Sequence, residues 1–264
     1  MNWIALDGAV NARTVVRGAL VRADNLQSLS PRDVHRLVHD HSVGVVLDLR
    51  TEMEVEREGP GPMTAEPTVR IEHRSLYPES GSNTDFELDT IKPWKRPSDG
   101  EWSEEPPVVR AYLSYLSRRP DSIVSSLRTI AGAQRAVLVH CAAGKDRTGV
   151  VVALALDAAG VQRDAIVSDY LATGERIERI WARLVSSSTY RAEVESHDPR
   201  TLAPAAGVME RVLELVDDRF GGTVAWLSAN GLDQEGLLQL RRRLRPDSPA
   251  GARERTKHTP TEPG

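Results

Sequence analysis

The chain has 264 residues, 40% of them hydrophobic and 27% charged, with a formal net charge of −4 and a pI near 6.0. That balance fits a globular protein, gives no overall attraction to nucleic acid, and contains no run near the ~20 apolar residues of a membrane helix. The single cysteine excludes an intrachain disulfide, and no spacing of Cys and His matches a zinc site.

The opening residues 1–7 lack a basic stretch and a long apolar core. No cleavable leader is expected there, and the default location is cytoplasmic, with export by another route left open. Ser30 as N-cap, Pro31 at the first helical position, and Val34, Leu37 and Val38 on one face predict a helix. The β-rich apolar run Val43 to Leu49 predicts a central strand. The proline-rich, polar stretch 59–105 reads as irregular loops framing a cleft. Helices are expected over Val108 to Leu116 and Ile123 to Ile130, ahead of a second apolar strand, Ala136 to Val139.

That strand runs into His140-Cys141-Ala142-Ala143-Gly144-Lys145-Asp146-Arg147-Thr148-Gly149, followed by an apolar helix expected from about Arg147 to Ala159, with Gly160 as a suitable C′ residue. After Tyr170 the pattern is helical. Ile177, Ile180, Trp181 and Leu184 form one apolar face, Ser186 to Ser188 break it, and Val208 to Val216 and Leu237 to Leu244 follow. Residues 246–264 are charged, proline-bearing and almost without apolar side chains, which predicts a disordered tail. His35, His39, His41, His73 and His197 share no ligand spacing and read as surface or capping residues. Strands interleaved with helices argue an α/β fold with a mostly parallel central sheet flanked by helices.

A lone thiol at a strand end, with an arginine six positions on at the start of a helix, suits chemistry on a phosphate ester. A cysteinyl-phosphate route needs a thiolate, an anion cradle and a proton for the leaving group. An ordinary cysteine has a pKa of about 8.5, and lowering it by roughly three units takes about 4 kcal/mol. A helix dipole supplies only about 0.3–1 kcal/mol. The rest must come from the loop amides of Ala142, Ala143, Gly144 and Lys145, from the Thr148 hydroxyl, and from the Arg147 cation, whose fork takes two phosphate oxygens. Gly144 allows a positive φ in the loop, Gly149 allows close packing beneath it, and His140 can stiffen it from one residue before the thiol. The pair Gly144-Lys145 is not a Walker loop, because Val139 stands where its first glycine belongs and Asp146 where Ser or Thr should follow.

The segment resembles the C-x5-R-[S/T] signature of cysteine-dependent tyrosine and dual-specificity phosphatases. More narrowly it is similar to the bacterial atypical group that includes the mycobacterial secreted tyrosine phosphatase B. Asn11, Arg17-Gly18, Leu20-Val21-Arg22, Val45 to Arg50, Asp169-Tyr170-Leu171, Gly221-Gly222 and Gly231-Leu232 follow that group's order, so the likeness spans roughly residues 9–245. It implies a phosphatase-like domain over 1–245, with a helical insertion at about 175–218 that folds over the site as a lid. Trp181 belongs to that region, although an apolar stripe at helical spacing more often marks core.

By the same resemblance Cys141 is the nucleophile and Arg147 the phosphate clamp. Asp146 is the loop general acid, in place of the aspartate that such enzymes carry in a W-P-D sequence. The nearest phrase here, Lys92-Pro93-Trp94-Lys95, has no carboxylate in the right place, and Glu79 and Asp85 are the weaker candidates. Capping the helix is the competing role for Asp146. Lys145 places a second cation beside the cradle, as in phosphatases that accept phosphoinositides. The expected substrates are therefore phosphotyrosine proteins, with phosphoserine or phosphothreonine and phosphoinositides as further possibilities, and no metal or cofactor is required. The rivals are a phospho-binding pseudophosphatase without turnover, against which both Cys141 and Arg147 are retained, and a sulfurtransferase, which has no use for Arg147-Thr148-Gly149.

Overall fold

The computed structural model describes residues 2–78 and 102–245. The N-terminal strands β1 (Asn2–Trp3), β2 (Arg13–Val16) and β3 (Leu20–Ala23) form an antiparallel meander. Helix α1 (Pro31–His35) follows, continued to Asp40 by a wider turn, and leads to β4 (Val43–Asp48) and α2 (Glu52–Glu58). Strand β5 (Arg70–His73) precedes helices α3 (Pro107–Arg118) and α4 (Pro120–Gly132). Then come β6 (Ala136–His140), α5 (Asp146–Ala159) and α6 (Arg163–Ala172). The chain continues through α7 (Ile177–Ser186), α8 (Arg191–Val194), α9 (Val208–Phe220), α10 (Thr223–Ala229) and α11 (Gln234–Leu244).

The six strands lie in the order β1-β2-β3-β6-β4-β5, with β3, β6, β4 and β5 parallel. The α/β architecture with a mostly parallel sheet is the one the sequence predicts. Both faces of the centre are buried, which explains why β6 is a continuous apolar run rather than an alternating one. Val137 and Val139 face the large core built on α3, α4, α5, α9 and α11, whereas Ala136 and Leu138 face the smaller core beneath α1. The expected helix at Ser30 is present with a complete capping box: Asp33 N donates to Ser30 Oγ and Ser30 N to Asp33 Oδ2.

Parallel register decides where chemistry can occur. Ala23 and Asp48 both stand opposite His140, so the segments leaving β3, β4 and β6 emerge side by side at the carboxyl edge of the sheet. The tail 246–264, the weaker acid candidates Glu79 and Asp85, and the Lys92 to Lys95 phrase lie outside the described residues.

Candidate active site

Cys141 directly follows β6 and is 2% exposed. The loop after it is held from outside by its carbonyls. Asn25 N donates to Ala142 O at 2.9 Å, Asn11 Nδ2 to Ala143 O at 2.9 Å and to Gly144 O at 3.2 Å, and Arg22 Nη2 to Gly144 O at 2.7 Å. In a trans peptide the C=O and the next N–H point in opposite directions. Tethering three successive carbonyls outward therefore turns the amides of Ala143, Gly144 and Lys145 toward the inside of the loop, the arrangement an anion nest requires. Gly144 has φ +65°, and a Cβ there would stand 2.3 Å from Ala23 O, so only glycine fits against the end of β3.

The tethers are themselves anchored. Arg13 Nη1 donates to Asn11 Oδ1 at 2.6 Å, and Arg13 Nε to Asp169 Oδ1 at 2.9 Å. Arg22 Nη1 bonds the other oxygen of Asp169. Burial, with the nearby charge of Arg22, pushes Arg13 down to about 10, so it remains a cation at neutral pH. Burial raises Asp169, but the two arginines outweigh it and hold the carboxyl below its usual range. Asn11, Arg22 and Asp169 belong to the resemblance read from the sequence; Arg13, which joins two of them, was missed.

Arg147 opens the first turn of α5, which begins at Asp146, one residue earlier than expected. Its Nη1 and Nη2 donate to Glu54 Oε2 and Oε1 at 2.6 and 2.8 Å. Glu54 is at the same time the N3 residue of α2, accepting Thr51 N at 2.7 Å. Burial penalises both charges, yet each stabilises the other: Glu54 is held below the ordinary carboxylate range and Arg147 well above its own. The Thr51-x-x-Glu54 pattern is a capping-box signal, but nothing local to it announces a partner 93 positions away.

His140 is buried, with Nδ1 3.3 Å from Cys141 O and Nε2 3.6 Å from Asp48. Burial pushes it down to about 4 despite Asp48, so it is neutral at pH 7. Thr148 is fully buried, and its hydroxyl has no hydrogen-bond partner among the described residues. Gly149 continues the helix, its N–H donating to Lys145 O at 2.8 Å. Asp146 Oδ1 accepts from Tyr112 Oη at 2.6 Å. Lys145 Nζ donates to Leu202 O at 2.6 Å and lies 3.5 Å from Asp146 Oδ1.

Leu202 belongs to a third, separate apolar cluster. Ile177, Ile180, Leu184, Tyr190 and Val194 make its centre, and Ala142, Ala143 and Trp181 pack against it. Trp181 is half-buried there, with Nε1 donating to Val194 O at 3.1 Å. Arg183 reaches from α7 to Asp24 at 3.1 Å and to Asn25 O at 3.0 Å. The Tyr190 ring is buried, its hydroxyl has no partner among the described residues, and it lies in the electrostatic field of Glu54, Arg50 and Arg147.

The tyrosine phosphatase family model matches residues 6–246, nearly the whole chain and all of this constellation. The chain belongs to the tyrosine phosphatase family. The phosphatase is 28% identical to the triple specificity protein phosphatase PtpB of Mycobacterium tuberculosis over 268 aligned residues, covering 90% of this chain and 95% of that one. It is also 31% identical to a tyrosine-protein phosphatase of Nostoc commune over 147 residues, about half of either chain: 51% of this one and 48% of the other. It is thus a protein-tyrosine phosphatase, a hydrolase of phosphoric monoesters. Among its described residues no helix is long and apolar enough to cross a membrane.

Proposed function

We propose that the phosphatase works through a cysteinyl-phosphate intermediate on Cys141. The observation that carries this reading is the outward tethering of the carbonyls of Ala142, Ala143 and Gly144, which leaves an inward nest of amides above the thiol. Cys141 Sγ attacks phosphorus in line with the leaving oxygen. The nest and the Arg147 fork hold the three equatorial oxygens as charge develops. Asp146 gives its proton to the leaving oxygen as the P–O bond breaks. It then takes a proton from the water that attacks phosphorus, and the P–S electron pair returns to sulfur. The Thr148 hydroxyl, without a partner among the described residues, suits a bond to that departing thiolate.

Phosphotyrosine is the preferred substrate, since a thiol at the cleft floor suits a long aryl ester. Phosphoserine or phosphothreonine and phosphoinositides are further candidates, in keeping with the named breadth of PtpB. Within the helical insertion read at about 175–218, the segment from Ile177 to Ala203 acts as a lid, whereas Val208 to Val216 packs in the large core. Its small apolar cluster rests on Ala142 and Ala143, and Lys145 is tied to it through Leu202 O. Lifting it frees the Lys145 ammonium to meet a second phosphate.

The test is phosphate release from a phosphotyrosine peptide, a phosphoserine peptide and a phosphoinositide by wild type, Cys141→Ser and Lys145→Ala. Release by wild type and none by Cys141→Ser supports the mechanism. A larger loss on the lipid than on the peptide in Lys145→Ala supports the second-phosphate role, and equal losses remove it. Binding without release by wild type makes the protein a phospho-binding module instead.

A further inference from the structure

Asp146 sits at the end of a chain of hydroxyls. Tyr112 Oη donates to its Oδ1 at 2.6 Å, and the hydroxyl of Tyr170 stands 2.9 Å from that of Tyr112. A phenol has one proton to give. Tyr112 gives its own to Asp146, so Tyr170 must be the donor between the two, and the bonds run in one direction from Tyr170 through Tyr112 to the carboxyl. Tyr112 and Tyr170 are 1% and 2% exposed, whereas the Asp146 side chain keeps 36% exposure. The relay is therefore a buried, rigid base under a group that still reaches the solvent side. Burial, with the nearby negative charge of Asp146, pushes Tyr112 well above its ordinary value, so it stays a donor.

Gly149 makes room for this arrangement. A Cβ at that position would lie 3.1 Å from Cδ2 and 3.4 Å from Cε2 of Tyr170. The last residue of the His140 to Gly149 run thus acts outside the loop, by letting the Tyr170 ring approach α5 closely enough to back Tyr112. The rings of Tyr112 and Tyr170 meet edge to face, with centroids 6.3 Å apart, which fixes the Tyr112 hydroxyl from the side.

We propose that Tyr112, backed by Tyr170, is a positioning residue for proton delivery by Asp146, holding the carboxyl through Oδ1 so that the transferred proton resides on Oδ2. The proposal rests on the reading of Asp146 as the loop acid. Both the Tyr112 hydroxyl and the Lys145 ammonium, 3.5 Å away, address Oδ1, so a proton on that oxygen would displace a donor and meet a cation. In the first half-reaction the Oδ2–H bond breaks, the leaving oxygen takes the proton, and the charge left behind spreads to Oδ1, where Tyr112 already donates. In the second half-reaction Oδ2 takes a proton from the attacking water. A carboxyl without this tether rotates, and its proton points at the leaving oxygen for only part of the time.

The experiment measures kcat/KM on phenyl phosphate, whose leaving group resembles tyrosine and needs a proton, and on p-nitrophenyl phosphate, whose leaving group departs readily as an anion. Tyr112→Phe is expected to lose about tenfold on phenyl phosphate and less than about threefold on p-nitrophenyl phosphate. Tyr170→Phe is expected to show the same selectivity at smaller amplitude, and it decides the matter if Tyr112→Phe folds poorly. Asp146→Asn is the reference. If it loses equally on both substrates, the loop acid and the relay fall together. If Asp146→Asn is selective but the tyrosine variants lose equally on both substrates, or lose nothing, the relay alone is overturned.

Discussion

The carboxylate of Glu54 closes the first turn of α2 and grips the guanidinium of Arg147 through two bonds of 2.6 and 2.8 Å. One acidic group thereby links the stability of a helix terminus to the orientation of the proposed phosphate clamp. Both partners are buried, so removing one leaves the other without compensation, at a cost of about 3–5 kcal/mol. Glu54→Ala is expected to show that loss in urea unfolding, with kcat/KM on a phosphotyrosine peptide down by at least about tenfold. Glu54→Gln, which keeps an acceptor, is expected to recover part of the stability. Unchanged kinetics in Glu54→Ala would mean that Arg147 finds its geometry without the pair.

Gly144→Ala isolates the shape of the nest. The residue has a positive φ of +65°, and the added Cβ would meet Ala23 O at 2.3 Å, so the loop must move away from the end of β3. The expected stability cost is about 1–3 kcal/mol, while catalysis should fall about a hundredfold or more, as for loss of an oxyanion donor. Parallel measurement of the melting temperature and of kcat separates the two. A variant that melts early but turns over normally would argue against the tethered amides as the anion site.

His140 gives the fold an acid-side weakness. Its ordinary value of 6.5 is lowered to about 4, chiefly by burial. Between those values the unfolded chain binds a proton that the folded chain refuses, so stability rises with pH across this window. The contribution is full above about 6.5, falls as the pH drops toward 4, and amounts to roughly 3 kcal/mol. Chemical denaturation at pH 7.5, 5.5 and 4.5 is expected to show this decline in wild type and a shallower one in His140→Asn. Equal slopes would assign the acid sensitivity to the carboxylates.

Tyr190 is the residue of the proposed lid whose removal should report most clearly on access. Its ring is buried, its hydroxyl is unpartnered among the described residues, and Glu54, Arg50 and Arg147 act on it electrostatically. Tyr190→Ala is expected to speed alkylation of Cys141 by iodoacetamide severalfold and to lower KM for a phosphotyrosine peptide, because less cover must be displaced. An unchanged alkylation rate would remove Tyr190 from the control of entry.

The sequence made the local part of this site legible. Cys141 to Gly149 lie in one uninterrupted stretch, and the flanking strand and helix are apolar enough to be read without a partner. The capped start of α1 and the core strand β4 were legible for the same reason. What escaped is what folding brings together from a distance. Glu54 meets Arg147 across 93 positions, and Tyr112 meets Asp146 across 34 and Tyr170 across 58. Each carries a local signal of another kind: Glu54 reads as a helix cap, Tyr112 falls within an expected helix, and Tyr170 belongs to the resemblance without a stated role. The short β1–β3 meander also went unread, because its strands have two to four residues and one of them carries the buried Arg22. Lys145 was legible as a cation, but its bond to Leu202 O depends on how α7 and the turn after α8 come back over the loop.

If phosphate passes through Cys141, it can be caught there. Asp146→Asn, in which breakdown of the intermediate is slowed, is mixed with p-nitrophenyl phosphate, quenched in acid within milliseconds, and examined by mass spectrometry of the intact chain and its peptides. Up to one phosphoryl group per chain is expected, on the peptide carrying Cys141, with a matching burst of p-nitrophenol and neither signal in Cys141→Ser. Turnover that persists in Cys141→Ser, or a phosphoryl group on any other residue, would contradict a cysteinyl-phosphate route.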